Sequence, residues 1–186
     1  LLPDGRCGVI VPEGVLFGTT GAHKELRRQL IENNRVEAVL SLPGGVFQPY
    51  SGVKTSVLLL KKGGRTENVL FLHADNDGYK LDANHDTPIE ADDLPAASEA
   101  FRQREGLLPL WEGRDTTAEW QGKWWFADAA TIRGNDFNLS AGRYLPMSQA
   151  AVEHRDPRVI LDELAAIEAE IVEEVEALKA ALAEQS

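Results

Sequence analysis

The stretch from residue 5 to residue 60 constrains this chain most, because its apolar runs and turn residues allow few folds. Residues 6–12 (RCGVIVP) form a short, nearly continuous apolar run, the pattern of a strand covered on both faces in a parallel sheet. Pro12-Glu13-Gly14 stops it. Thr19 or Thr20 then offers a cap for a helix over 22–34, with Leu26, Leu30 and Ile31 on its inner face and Asn33–Asn34 at its end. A second strand is predicted at Val36–Leu42, halted by Pro43-Gly44-Gly45, a third at Thr55–Leu60, and a fourth at Val69–His73. Strand–helix–strand followed by strands on short turns implies an α/β sheet with an antiparallel edge.

Beyond residue 74 the pattern changes. Asp75-Asn76-Asp77-Gly78 reads as a solvated turn; no Glu closes it at calcium-loop spacing. Residues 82–98 read as a connecting loop and 95–105 as partly helical. Trp120, Trp124 and Trp125 could stack bases, but such a cluster more often packs loops onto a domain, and packing is the favoured reading. Residues 132–145 are turn-rich. A long helix is predicted over 157–183, with Asp156 as cap and Pro157 in its first turn. Leu161, Leu164, Ile167, Ile171, Val175, Leu178 and Leu182 make one apolar stripe on it, suited to a partner helix or a bundle. The expected organisation is an α/β unit over 1–74, a loop-rich extension over 75–150, and the amphipathic helix over 151–186.

Charge narrows the functions. The net charge of −11 argues against DNA binding by bulk electrostatics. It is unevenly spread: residues 1–64 hold eight basic and five acidic side chains (+3), and residues 65–186 hold eleven and twenty-five (−14). Any nucleic-acid contact is therefore expected in the first third, and the acidic remainder faces water or a protein. Residues 151–186 carry three basic and ten acidic groups. Cys7, alone and inside an apolar run, excludes an internal disulfide framework and reads as a core residue in a reducing, cytoplasmic setting. No apolar run approaches bilayer length, so no membrane partner is expected. The chain begins at Leu1 with its only methionine at Met147, which suits a processed chain or a piece of a longer one.

Few residues suggest chemistry. His23, His73, His85 and His154 have no metal-ligand spacing, and neither a Gly-x-Ser-x-Gly nor a phosphate-loop motif is present. Glu13 follows a strand at the end where open α/β sheets bind ligands, and it is equally suited to capping a turn. Phe47 and Tyr50 lie on a Pro- and Gly-shaped loop, where flat apolar groups can hold an unstacked base, and Lys54 beside them could meet a phosphate; packing back onto the sheet is the other reading.

In combination, Pro12 with Gly14–Phe17, Asn33–Asn34, Leu42–Pro43, and then Phe47, Pro49, Tyr50, Gly52, Val53 and Thr55 resemble the later part of adenine-specific DNA methyltransferases, in particular the modification (M) subunits of type I restriction–modification systems. Asp77-Gly78-Tyr79, Asn135–Ser140 and Arg143-Tyr144 add to the resemblance. It implies the C-terminal part of an S-adenosylmethionine-dependent methyltransferase sheet, in a parent that methylates the exocyclic amine of adenine in DNA. It further implies partnership with a specificity (S) subunit through the terminal helix, with a restriction (R) subunit, and with DNA. The family's glycine-rich cofactor turn and its Asn/Asp-Pro-Pro-Phe/Tyr loop have no counterpart here, and the chain contains no Pro-Pro dipeptide. The catalytic residues are thus expected on a segment preceding these residues, and this chain alone is expected neither to bind S-adenosylmethionine nor to methylate. A sheet cut in this way would expose an edge and invite self-association. A parent that fuses restriction to methylation, or a non-catalytic methylase-like module docking a partner through 157–183, are the alternatives.

Overall fold

The structure, a computed structural model, describes residues 1–146, so the helix foreseen at 157–183 and its stripe lie outside the described residues. The first strand, β1, spans Arg6–Pro12 and runs directly into a short helix, α1 (Glu13–Phe17). Helix α2 (Gly21–Asn33) opens on Thr20, whose hydroxyl accepts from the His23 backbone N–H at 3.3 Å. Strands β2 (Asn34–Ser41), β3 (Thr55–Lys62) and β4 (Asn68–His73) follow. A small hairpin pairs β5 (Asp77–Tyr79) with β6 (Pro88–Asp92). Helices α3 (Leu94–Arg102) and α4 (Arg104–Glu112) lead to β7 (Trp124–Asp128), then α5 (Ala129–Gly134) and a 3₁₀ turn at Ala141–Arg143.

Five strands form one mixed sheet in the order β1-β3-β2-β4-β7. β2 and β4 are parallel, while β3 runs against both β1 and β2, and β7 against β4. The expected antiparallel edge is therefore β7, and a second antiparallel strand is threaded into the interior between β1 and β2. The sheet crosses residue 74, since β7 belongs to it.

Register fixes which side chains share a face, because neighbours along a strand alternate. Phe71 and Trp125 stand opposite each other, and both meet the 3₁₀ segment: Phe71 stacks on Tyr144 at 5.0 Å, and the Trp125 indole donates to the Ala141 carbonyl at 3.2 Å. Trp124 and Phe126 point to the other face, where Trp111 of α4 and Trp120 meet Trp124. Helices thus cover both faces of the central strands, and Val69, Leu70 and Phe71 have no exposed surface. Burying each such side chain contributes about 1.5–3 kcal/mol. The tryptophan group packs α4 and the 113–123 segment onto the sheet, with Trp120 and Trp124 edge-to-face at 5.0 Å.

Two expectations change. Arg6–Pro12 is a strand, but not one covered on both faces. It has a single neighbour, and Val9 and Ile10 are 39% and 52% exposed. An apolar run records that a strand is to be covered and does not say by which residues. In α2, Ile31 is buried and Leu30 partly so, but Leu26 faces outward and Arg27 takes the interior place, 1% exposed. Its guanidinium donates to the carbonyls of Val15 (2.9 Å), Gly18 (3.0 Å) and Phe137 (2.9 Å). Asp136 and Phe137 both have left-handed backbones, φ 56° and 54°, unusual for residues with side chains. Arg27 stabilises that turn, since the Asp136 carbonyl also accepts from it at 3.4 Å. Burial lowers the Arg27 pKa, opposed by the nearby Asp136 carboxylate.

The acidic 75–78 turn also differs from expectation. Asp77 is buried, with its carboxylate 2.9 Å from His85 Nε2. The loop foreseen at 82–98 contains β6, the partner of that strand.

Candidate functional site

Three mutually aligned strands, β1, β2 and β4, end on the same side of the sheet, and Glu13, Ser41 and His73 stand at those ends. They border a cleft of about 390 Å³, closed laterally by the 120–123 segment and by residues around the 3₁₀ turn. Glu13 is held in place by its backbone, whose N–H donates to the Lys54 carbonyl at 3.0 Å. The two side chains meet loosely, Lys54 Nζ lying 3.7 Å from Glu13 Oε1. Among the described residues this is the one ion-pair contact of either group, although the Glu13 side chain is only 18% exposed. Two buried hydroxyls at the start of β3, Thr55 and Ser56, have no hydrogen-bond partner among the described residues; Ser56 lies across from Ser41 in the register.

The opposite wall is more fully paired. Lys123 Nζ bridges Asp75 at 3.0 Å and Asp93 at 2.7 Å, and His73 Nε2 lies 3.0 Å from Asp75. The Lys123 bond holds Asp75 below the usual carboxylate range, and bonds to Asp93 and Asp75 raise Lys123. Burial pushes Asp93 up, but Lys123 and the backbone N–H groups of Asp75 and Asn76 outweigh it, so it too is lowered. Trp120 supplies an aromatic surface fixed by its indole N–H, which donates to the Trp124 carbonyl at 2.8 Å. Gly122 lies against that ring; a Cβ there would sit 2.7 Å from it.

Of the residues singled out in the sequence, Glu13 and Lys54 are brought together at this cleft. Phe47 and Tyr50 are not among its lining residues. Phe47 bridges to Ser51 within the 42–54 loop, and Tyr50 projects from that loop 93% exposed. His73, Ser41 and residues 121–123 were not foreseen as site residues, and Trp120 and Trp125, weighed for base stacking but read as packing residues, line the cleft as well. His73 carried one usable signal, a polar residue closing an apolar strand, but parallel alignment with β2 places it here and cannot be read locally. Among the described residues no group of three or more His, Cys, Asp or Glu side chains could hold a metal ion, and no helix is long and apolar enough to cross a membrane.

A mixed sheet between helical layers, with a partly charged, partly aromatic cleft where its aligned strands end, defines an open α/β domain, the class in which ligands bind outside the strand ends. The chain belongs to the N-6 DNA methylase family, which matches residues 1–153. Relatives are methylase subunits of type I restriction enzymes. The EcoEI subunit of Escherichia coli is 40% identical over 81 residues, 43% of this chain and 16% of that protein. The EcoKI subunit of Escherichia coli K12 is 28% identical over 159 residues, 80% of this chain and 29% of that protein. A solved chain from a type I restriction–modification system, described for complex assembly and conformational transition, superposes with a TM-score of 0.61 at 28% identity, covering 100% of this chain and 37% of its own length. The type I methyltransferase subunit of Streptococcus thermophilus gives 0.57 at 25% identity, covering 76% and 26%. This chain therefore spans under a third of the length of these two curated relatives.

Proposed function

We propose that these residues serve as the later portion of a type I modification subunit that transfers a methyl group from S-adenosylmethionine to the exocyclic amine of adenine in DNA. On this reading the cofactor turn and the amine-gripping Asn/Asp-Pro-Pro-Phe/Tyr loop belong to the remaining length of the parent, and this chain alone neither holds the cofactor nor methylates. Beta1 carries the reading: an apolar strand with one free edge and Val9 and Ile10 exposed suits a sheet that continues into further strands. Glu13, Phe47, Tyr50 and Lys54 then form the DNA-facing rim at the carboxyl ends, with the aromatics of the 42–54 loop beside the displaced adenine and Lys54 toward a phosphate. The acidic, apolar-striped 157–183 segment fits docking on a specificity subunit, with a restriction subunit and DNA completing a cytoplasmic assembly.

Calorimetric titration of S-adenosylmethionine into the purified chain tests the central claim. No heat is expected; saturable micromolar binding would mean that a cofactor site lies within these 186 residues and would sink the division of labour proposed. Sequencing upstream of Leu1 tests the rest, since a glycine-rich turn and an Asn-Pro-Pro-Phe-type loop should appear in frame.

A further inference from the structure

The cleft at the strand ends shares Lys54 with the 42–54 loop but not Phe47 and Tyr50, the aromatics assigned to the target adenine, and its chemistry points to a different base. An ionised carboxylate only accepts hydrogen bonds, so the group that meets Glu13 must donate. Glu13 offers two oxygens engaged by one ammonium at 3.7 Å, in a side chain only 18% exposed. Among the nucleobases guanine presents the best complement, two parallel N–H donors (N1–H and the 2-amino group) spaced for the two oxygens of one carboxylate. Trp120, fixed by its bond to the Trp124 carbonyl, lines the cleft with its indole, and Lys54, 3.7 Å from Glu13, stands beside the same edge, where it can donate to the guanine O6. The volume of about 390 Å³ is sufficient for one nucleotide, within the roughly 300–1,000 Å³ usual for small-ligand sites. Across the cleft Lys123 is committed to Asp75 and Asp93, which leaves Lys54 as the cation available to the ligand.

We propose that this cleft holds a single guanine nucleotide, its N1–H and 2-amino edge on Glu13, its O6 at Lys54 and its ring beside Trp120. As an unstacked DNA base beside the methyl acceptor, this ligand rests on the DNA-facing reading above; a free guanine nucleotide presents the same chemistry. Titrating GMP, AMP, CMP and UMP into the full chain, while following tryptophan indole N–H signals by NMR, separates the cases. Saturable shifts of the Trp120 signal by GMP, at least tenfold tighter than by the other three, are expected. The preference should vanish in Glu13→Gln, and affinity should fall several-fold in Lys54→Gln, both of which replace rim side chains and keep the fold. Absence of saturation, equal affinity for all four nucleotides, or an unchanged preference in Glu13→Gln would overturn the proposal. A parallel anisotropy measurement with labelled duplex DNA isolates the other reading. GMP binding without DNA binding would uphold the cleft as a free-nucleotide site and defeat the DNA-facing rim. DNA binding without GMP binding would defeat the cleft alone.

Discussion

Glu37 within the sheet and Glu13 just past the end of β1 are both carboxylates of low exposure, and they are treated in opposite ways. Glu37, 2% exposed in its side chain, sits at an irregularity in β2 between Val36 and Ala38 and is gripped from two elements: Arg104 Nη2 at 3.0 Å and Arg6 Nε at 3.3 Å. Glu13 has one lysine at 3.7 Å. Arg27 belongs with Glu37, a buried charge whose donors meet backbone carbonyls of three segments. Charges of the first kind are engaged in holding elements together, because an unpaired buried charge is costly. The loosely paired charges stand at the end of the sheet where ligands enter. The contrast separates groups the fold consumes from groups it leaves available.

Removing Arg27 should have the largest effect. Arg27→Met would leave the carbonyls of Val15, Gly18 and Phe137 without their donor and release the left-handed turn at Asp136–Phe137. A loss of at least about 3 kcal/mol is expected in urea unfolding; a loss below about 1 kcal/mol would break the assignment of Arg27 to the structural class. Glu37→Ala comes next, at about 3 kcal/mol, felt chiefly through Arg104, whose side chain is 14% exposed and would keep an unpaired charge. If Glu37→Ala proved no more costly than Glu13→Ala, the comparison would collapse.

Tyr144 tests the same wall of the core by pH. Burial pushes its phenol up to about 12, against the lowering influence of Arg143 and Arg27, and its hydroxyl donates to the Asn138 carbonyl at 2.6 Å. The folded state therefore favours the neutral phenol, so its contribution is whole below pH 10 and is lost as pH rises from 10 through 12. Tyr144→Phe should cost about 1 kcal/mol at neutral pH and flatten that alkaline part of the stability profile. The smallest effect belongs to the rim. Glu13→Gln and Lys54→Gln should each change stability by less than about 0.5 kcal/mol, since a pair as loose as 3.7 Å with an exposed lysine contributes little. A larger change in thermal unfolding would move them into the structural class.

Much of the fold was legible in the residues. β2 and β3 fall where apolar runs end at proline or glycine turns, β4 falls on the apolar run before the acidic turn, and α2 begins at the threonine whose hydroxyl caps it. Partners were not legible. The pattern of Arg6–Pro12 cannot distinguish a central strand from an edge strand that displays Val9 and Ile10, and helical spacing placed Leu26 inside where Arg27 lies. An arginine enters an interior only if several acceptors converge on it, and those here come from residues 15, 18, 136 and 137, far apart in sequence. The cleft was half legible for the same reason. Glu13 and Lys54 announce themselves beside turns, whereas Ser41, His73 and Trp120 reach it only through strand alignment and the return of the chain after α4.

The threading of β3 between β1 and β2 has a consequence for the order of assembly. β2 and β3 are adjacent in sequence and antiparallel, so their pairing closes a short loop, whereas β1 must span α1 and α2 before it can reach β3. Short closures cost less chain entropy than long ones. The β2–β3 ribbon should therefore be formed at the folding barrier and β1 should be added after it. Truncations such as Val39→Ala would then slow refolding, whereas Val11→Ala would mainly hasten unfolding, and equal effects on both rates at the two positions would reverse that order.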